Sequence, residues 1–134
     1  MSKDLLFLDA NILFSAAYRE HAGLLRFWHL DSVKLISSLY AIEEAIRNLD
    51  QLQQKERLKK LLEKVEETGF CHDTLDLPEG IMIREKDKPI LLAAIAAQAN
   101  FLITGDVKDF GKFYGQQISG VMILPPSDYF NSHL

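Results

Sequence analysis

The sequence predicts an α/β fold, a central parallel sheet covered by helices on both faces, and three observations carry that expectation. Short unbroken apolar runs such as Leu5-Leu6-Phe7-Leu8 have the pattern of strands buried on both faces. These runs alternate with segments of helical apolar spacing, and no tight Asn-Gly or Asp-Gly hairpin joins any two of them. With 134 residues, 48% of them hydrophobic, the chain has material for one domain over 1–134 and no room for a second.

The first strand, Leu5 to Leu8, passes at Asp9 into a helix-like segment. Val33 to Ile36 forms a second run, and Ser37 and Ser38 lead it into a helix expected to reach Leu49, with Asn48 or Asp50 at its end. From Gln51 to Thr68 charges are dense, but Leu58, Leu61, Leu62 and Val65 keep the spacing of one apolar stripe, which predicts a single helix stopped by Gly69. Phe70 to His72 reads as a brief third strand, and Leu77 to Gly80 and Arg84 to Lys88 read as loop. Asp87 and Pro89 open a further helix whose body, Ile90 to Ala99, is apolar enough to be packed on nearly all sides, with Asn100 as its end cap. Phe101-Leu102-Ile103 repeats the opening motif, a strand running into the polar turn Thr104-Gly105-Asp106, before a short helix around Asp109 to Tyr114. Val121 to Leu124 is the last strand; Pro125 and Pro126 end it, and Ser127 to Phe130 add a helical turn.

Composition narrows the function classes. Against 15 Lys and Arg stand 19 Asp and Glu, so the net charge is -4 and the overall basic field of many nucleic-acid binders is missing. Such a partner must be met locally. The single cysteine, Cys71, has no second thiol for a disulfide or a zinc pair, which points to a reducing compartment, the cytoplasm, and it is expected to be a small core residue. Met1 to Tyr18 carries Asp4 and Asp9 within its apolar stretch and fits neither a signal peptide nor a membrane span, which needs about 20 mostly apolar residues; no membrane partner is expected.

In a parallel sheet ligands bind beyond the carboxyl ends of the strands, where Asp9 and Asp106 fall. Taken singly, Asp9, Asp87 and Asp106 are good helix N-caps, and Glu43 and Glu44 belong to a solvated helix face. Taken together, they converge: the two strand ends share one sheet edge, Asp87 heads the helix leading into the second of them, and one of the paired glutamates points along a packed face. Several carboxylates in a small volume raise one another's pKa unless a divalent cation holds them ionised. An all-oxygen set with no Cys pair and no His-x-x-x-His spacing suits Mg²⁺ or Mn²⁺ rather than zinc. Such an ion activates water and neutralises phosphodiester charge, so phosphoryl chemistry follows.

Arg84, Lys86, Lys88, Lys108 and Lys112 cluster in sequence around Asp87 and Asp106, either as phosphate grips or as solvated loop cations. Arg57, Lys60 and Lys64 stand among Glu56, Glu63, Glu66 and Glu67 and read as a salt-laced solvent face. Phe27 and Trp28 are expected in the core or at an inter-subunit surface, while His21 and His29 lack a metal-ligand partner at helical spacing.

Phe7-Leu8-Asp9-Ala10-Asn11-Ile12-Leu13, Glu44-Ala45-Ile46-Arg47-Asn48-Leu49, Asp87-Lys88-Pro89-Ile90-Leu91 and Leu102-Ile103-Thr104-Gly105-Asp106 resemble, in order and spacing, the four acidic motifs of the PIN domain. The similarity runs on to Leu124-Pro125-Pro126-Ser127-Asp128-Tyr129-Phe130, which resembles the family's tail. The resemblance implies a three-layer α/β/α fold, Mg²⁺- or Mn²⁺-dependent endoribonuclease activity on an RNA substrate and, as in many prokaryotic members, a VapC-like toxin beside an antitoxin protein. Such proteins commonly dimerise, so a homodimer and a monomer both stay open. Carried over by position, Asp9, Glu44, Asp87 and Asp106 would be the catalytic metal ligands, with Glu43 the alternative to Glu44. Asn11 would accompany Asp9, Thr104 would place its hydroxyl near the metal, and Asp109 would be a peripheral ligand or a cap. Lys86, Lys88 and Lys108 are the nearest candidates for the substrate phosphates.

Two other classes compete. Leu8-Asp9-Ala10-Asn11 and Gly105-Asp106-Val107-Lys108-Asp109 are similar to motifs of haloacid-dehalogenase-like phosphatases, but that chemistry needs an aspartate as general acid at position 11, where asparagine cannot deliver a proton. A non-catalytic binding module leaves the Glu43-Glu44 pair and the Asp87 helix start as coincidence.

Overall fold

The computed structural model describes residues 3–68 and 76–133. Its strands are β1 (Asp4–Leu8), β2 (Val33–Ser38), β3 (Val65–Thr68), β4 (Phe101–Ile103), β5 (Gln117–Ile118) and β6 (Val121–Leu124). They form one sheet in the order β3-β2-β1-β4-β6-β5, parallel throughout except for the antiparallel β5–β6 edge. Helices flank it as the outer layers of an α/β/α sandwich: α1 (Ala10–Tyr18), α2 (Leu39–Asn48), α3 (Leu52–Leu62), α4 (Lys88–Ala96), α5 (Val107–Phe110) and α6 (Pro126–His133). Two 3₁₀ segments, Gly23–His29 and Gly111–Phe113, complete the described elements.

The central strands are where the apolar runs require them. Leu6 lies between Leu35 and Phe101 in register, and Leu6, Phe7, Leu8, Leu102 and Ile103 are fully buried, each such side chain contributing about 1.5–3 kcal/mol. The two serines expected to turn β2 into a helix divide the work. The Ser37 hydroxyl donates to the Leu8 carbonyl, and the Ser38 hydroxyl caps α2 by accepting from the Ala41 N–H. Phe27 is completely buried against Tyr129 and Phe130, and the Trp28 indole donates to the Leu61 carbonyl, so this pair belongs to the core.

Several expectations are corrected. The helix from Gln51 ends at Leu62 rather than running to Gly69. Glu63 and Lys64 form a turn, and Val65 leaves the apolar stripe to pair with Leu35 as the first residue of the edge strand β3. Gly69, Cys71 and the strand expected over Phe70 to His72 lie outside the described residues. Asn100 does not cap α4, which closes at Ala97; its side-chain oxygen accepts the Leu5 N–H at 2.7 Å, tying β1 to the entry of β4. The sheet is not wholly parallel, because Ser119 (φ 50°) and Gly120 (φ 87°) make the two-residue left-handed turn that joins β5 to β6. The salt-laced face is also revised. Arg57 turns inward and donates to the Ala17 and Tyr18 carbonyls, satisfying the open C-terminal end of α1. Pro126 opens α6 rather than merely ending β6, as proline can at a first helical position. No helix among the described residues is long and apolar enough to cross a membrane.

Candidate metal centre

Parallel strands β1 and β4 end side by side, and the chain leaves each of them into a helix, so Asp9 and Asp106 emerge at one edge of the sheet. Both do act as N-caps: the Asp9 carboxylate accepts from the Ala10 N–H at 2.6 Å and Asp106 from the Asp109 N–H at 3.1 Å. Capping fixes each carboxylate at the mouth of an open cavity of about 390 Å³, lined also by Glu44 and Asp87. Of the adjacent glutamates, Glu44 is half-buried on this cavity, whereas Glu43 is exposed and outside its lining.

The Asp9 carboxylate is held by the protein itself. Oδ2 accepts from the Thr104 hydroxyl at 2.8 Å and from the Asn11 side-chain amide at 3.1 Å. Thr104 is fully buried, and its oxygen in turn accepts the Asp106 N–H. The Asn11 oxygen accepts the Gly105 N–H at 2.8 Å, which ties the turn after β4 to the start of α1. Burial pushes the Asp9 pKa up to about 6, against the Thr104 and Ala10 hydrogen bonds that favour the charged form.

Asp87 stands differently. It occupies the N-cap position of α4, yet its side chain makes no cap hydrogen bond, and its buried Oδ2 has no partner among the described residues. One carboxylate oxygen each from Asp87, Asp106 and Asp109 lie within 4.8 Å of one another. Burial, then a hydrogen bond with Asp109 and the charge of that neighbour, raise Asp87 to about 7. Asp109 moves the opposite way, lowered by the same hydrogen bond and by Arg84, whose Nε lies 3.0 Å from it. The two carboxylates thus titrate as a coupled pair, Asp87 shifted upward and Asp109 downward.

The expected site residues thus separate. Asp87 and Asp106 join Asp109 in the tight cluster, while Asp9 and Glu44 line the same cavity without entering it. Asp109 is buried and lies inside α5 instead of capping it, because the cap is Asp106. Among the cations, Lys86 lines the cavity, its backbone pinned by the Tyr40 hydroxyl at 2.7 Å. Arg84 is engaged with Asp109 and Lys88 with Glu85 at 2.7 Å, while Lys108 is exposed outside the lining. Lys112 lies over the Phe113 ring. Phe14 lines the cavity although nothing in the sequence marked it, and Asn48 does so although it was expected only as a helix end. Asn48 follows Glu44 by four residues and so lies one turn along the same face of α2, a spacing that would have marked it.

This donor set fits a hard divalent cation. An all-oxygen cluster with a buried, unpartnered carboxylate oxygen is costly for protein groups alone and is satisfied by an ion of opposite charge.

The comparisons with known proteins agree with this fold. A family model described as PIN domain matches residues 6–108. The crystal structure of VapBC2 from Rickettsia felis bound to a DNA fragment from their promoter aligns at 19% identity and a TM-score of 0.65, covering 90% of this chain and 98% of that one. A 2.2 Å structure of VapBC-1 from nontypeable Haemophilus influenzae aligns at 19% identity and a TM-score of 0.54, covering 90% and 97%. No curated protein matches the sequence.

Proposed function

The chain belongs to the PIN domain family, and from that premise we propose that it is a divalent-metal-dependent endoribonuclease, a single nuclease domain over 1–134. The observation that carries the reading is the buried Asp87 Oδ2, left without a partner inside a cluster of three carboxylates at the carboxyl edge of a parallel sheet. Asp9, Glu44, Asp87 and Asp106 would hold Mg²⁺ or Mn²⁺, with Asp109 beside them. Bound there, the ion supplies activation of water and neutralisation of charge on an RNA phosphodiester.

The chain's own residues do the rest. Thr104 and Asn11 donate to Asp9, fixing the direction in which its carboxylate faces the cavity. The hydrogen bond with Asp87 and the Arg84 guanidinium favour the ionised form of Asp109, which would leave its carboxylate available beside a bound cation. Lys86, held through its backbone by Tyr40, offers a cation to a substrate phosphate at the cavity mouth.

Because the two similar structures described above are VapBC complexes, the proposal extends to a partner: the chain is the toxin of a toxin–antitoxin pair and binds an antitoxin protein. The nuclease reading is tested by incubating the purified protein with RNA and with p-nitrophenyl phosphate, with and without Mn²⁺. Metal-dependent RNA cutting, lost in Asp87→Asn, is expected; turnover of the small phosphate ester alone would favour a phosphatase. Co-purification with the product of an adjacent reading frame, and inhibition by it, is the result expected for the antitoxin.

A further inference from the structure

The N-terminal half of α1 borders the acidic cavity, and the same helix continues into a second one. The ring of Phe14 lines both. Beyond it lies a cavity of about 560 Å³ walled by Phe14, Tyr18, Leu24 and Phe130, with Arg19 and Arg26 also lining it. The Phe14 and Tyr18 rings, one helical turn apart, have their centroids 5.3 Å from each other at 40°. Tyr18 is 53% exposed, an open aromatic face beside the cavity. The Arg26 guanidinium lies over the Phe130 ring at 4.2 Å. Neither Arg19 nor Arg26 forms an ion pair among the described residues, and no carboxylate lines this cavity, although the chain as a whole carries a net charge of -4.

One exposed aromatic face, that of Tyr18, beside two guanidinium groups without a carboxylate partner among the described residues matches the two surfaces of an unpaired nucleotide, a π-face for the base and cations for the phosphates. A duplex can offer its phosphates to the guanidinium groups but no interior base face to the ring, because its bases are already stacked. Continuity through Phe14 puts such a nucleotide next to the phosphodiester in the acidic cavity. We propose that this groove is a stacking subsite for an unpaired base of single-stranded RNA leaving the acidic cavity, with Tyr18 as the stacking ring and Arg19 and Arg26 as phosphate contacts. The inference rests on the nuclease reading for the identity of the strand, and it adds the residues that choose between single-stranded and paired substrates.

The test uses the full chain carrying Asp9→Asn, so that bound RNA stays whole. Its affinity for a fluorescein-labelled single strand of about twelve nucleotides is read by anisotropy, and 2-aminopurine is moved along the strand one position at a time. Quenching at one or two adjacent positions is expected. Adding Tyr18→Ala should weaken binding about tenfold and abolish the quench, while Tyr18→Phe restores both. Arg26→Ala should flatten the dependence of affinity on salt. Binding within twofold of the parent in Tyr18→Ala, or quenching with no preferred position, overturns the subsite and leaves the groove to a protein segment. The two readings fail separately. Wild-type protein that cuts RNA with no dependence on Tyr18 removes the subsite alone, whereas Tyr18-dependent stacking in a protein that cuts nothing keeps the subsite and removes the nuclease.

Discussion

Asp9 and Asp87 line the same cavity and are both buried, yet they are built in opposite ways. Asp9 receives hydrogen bonds from a backbone amide, an asparagine and a buried threonine. Asp87 keeps one oxygen with no donor and has carboxylates for neighbours. The protein has completed one half of the site with its own donors and left in the other a carboxylate oxygen that the proposed cation would satisfy. The energetic consequence is that the first half resists change of ligation, while the second is stable only when something positive arrives or a proton stays.

The largest effect expected from breaking this contrast is on the unsatisfied side. Asp87→Asn should lower metal-dependent RNA cutting by about a thousandfold, since it removes a ligand from the cation that carries the charge stabilisation. The same substitution should raise the metal-free melting temperature at neutral pH, because it removes a buried negative charge whose Oδ2 has no donor and whose neighbours are carboxylates. Initial rates and thermal melts on one preparation check both directions.

Next in size is pH. Asp9 and Asp87 have folded-state pKa values of about 6 and about 7, above their ordinary value of 3.8, so folding favours their protonated forms. Their contribution to metal-free stability is whole below pH about 4 and is lost as pH rises through about 6 for Asp9 and about 7 for Asp87. For Asp9 alone the loss approaches about 3 kcal/mol at neutral pH. Melts in chelator should therefore decline relative to Asp9→Asn across that window, and saturating Mn²⁺ should reverse the decline. A chelated protein that gains stability relative to Asp9→Asn between those values would contradict the assignment.

On the protein-built side the expected effect is smaller. Thr104→Val removes the donor that orients Asp9 and should reduce Mn²⁺ affinity or cutting by about 10–100-fold, with Thr104→Ser close to wild type. Smallest of all is Arg84→Gln. Its guanidinium is half exposed to solvent, so loss of the pair with Asp109 should change Mn²⁺ affinity by less than about fivefold, as a titration would show.

The parts of the fold that could be read in the sequence are those where burial on both faces leaves only apolar residues, as at Leu6-Phe7-Leu8 and Phe101-Leu102-Ile103. The α3–β3 boundary was hidden because Val65 continues the spacing of Leu58, Leu61 and Leu62 although the chain has already turned at Glu63 and Lys64. The strand it begins is an edge strand with a polar outer surface, so its sequence looks like helix surface; Lys34 and Glu66 pair across it at 2.9 Å. The β5–β6 hairpin had a visible signal, Ser119-Gly120, that the alternation of strands and helices outweighed. In the site, the strand-end positions of Asp9 and Asp106 followed from topology. The burial of Asp109 beside Asp87, and the recruitment of Arg84 to it, depend on how the loop before α4 folds back, which no local pattern encodes.

The proposed binding of a cation by Asp87 and its neighbours can be measured by calorimetric titration of Mn²⁺ into the metal-free protein at about pH 6.5 in buffers of differing ionisation heat. Saturable binding accompanied by proton release is expected, because burial and the adjacent Asp109 raise the Asp87 pKa to about 7, and both should be lost in Asp87→Asn. Absence of binding, or binding of equal strength and proton release in Asp87→Asn, would contradict it.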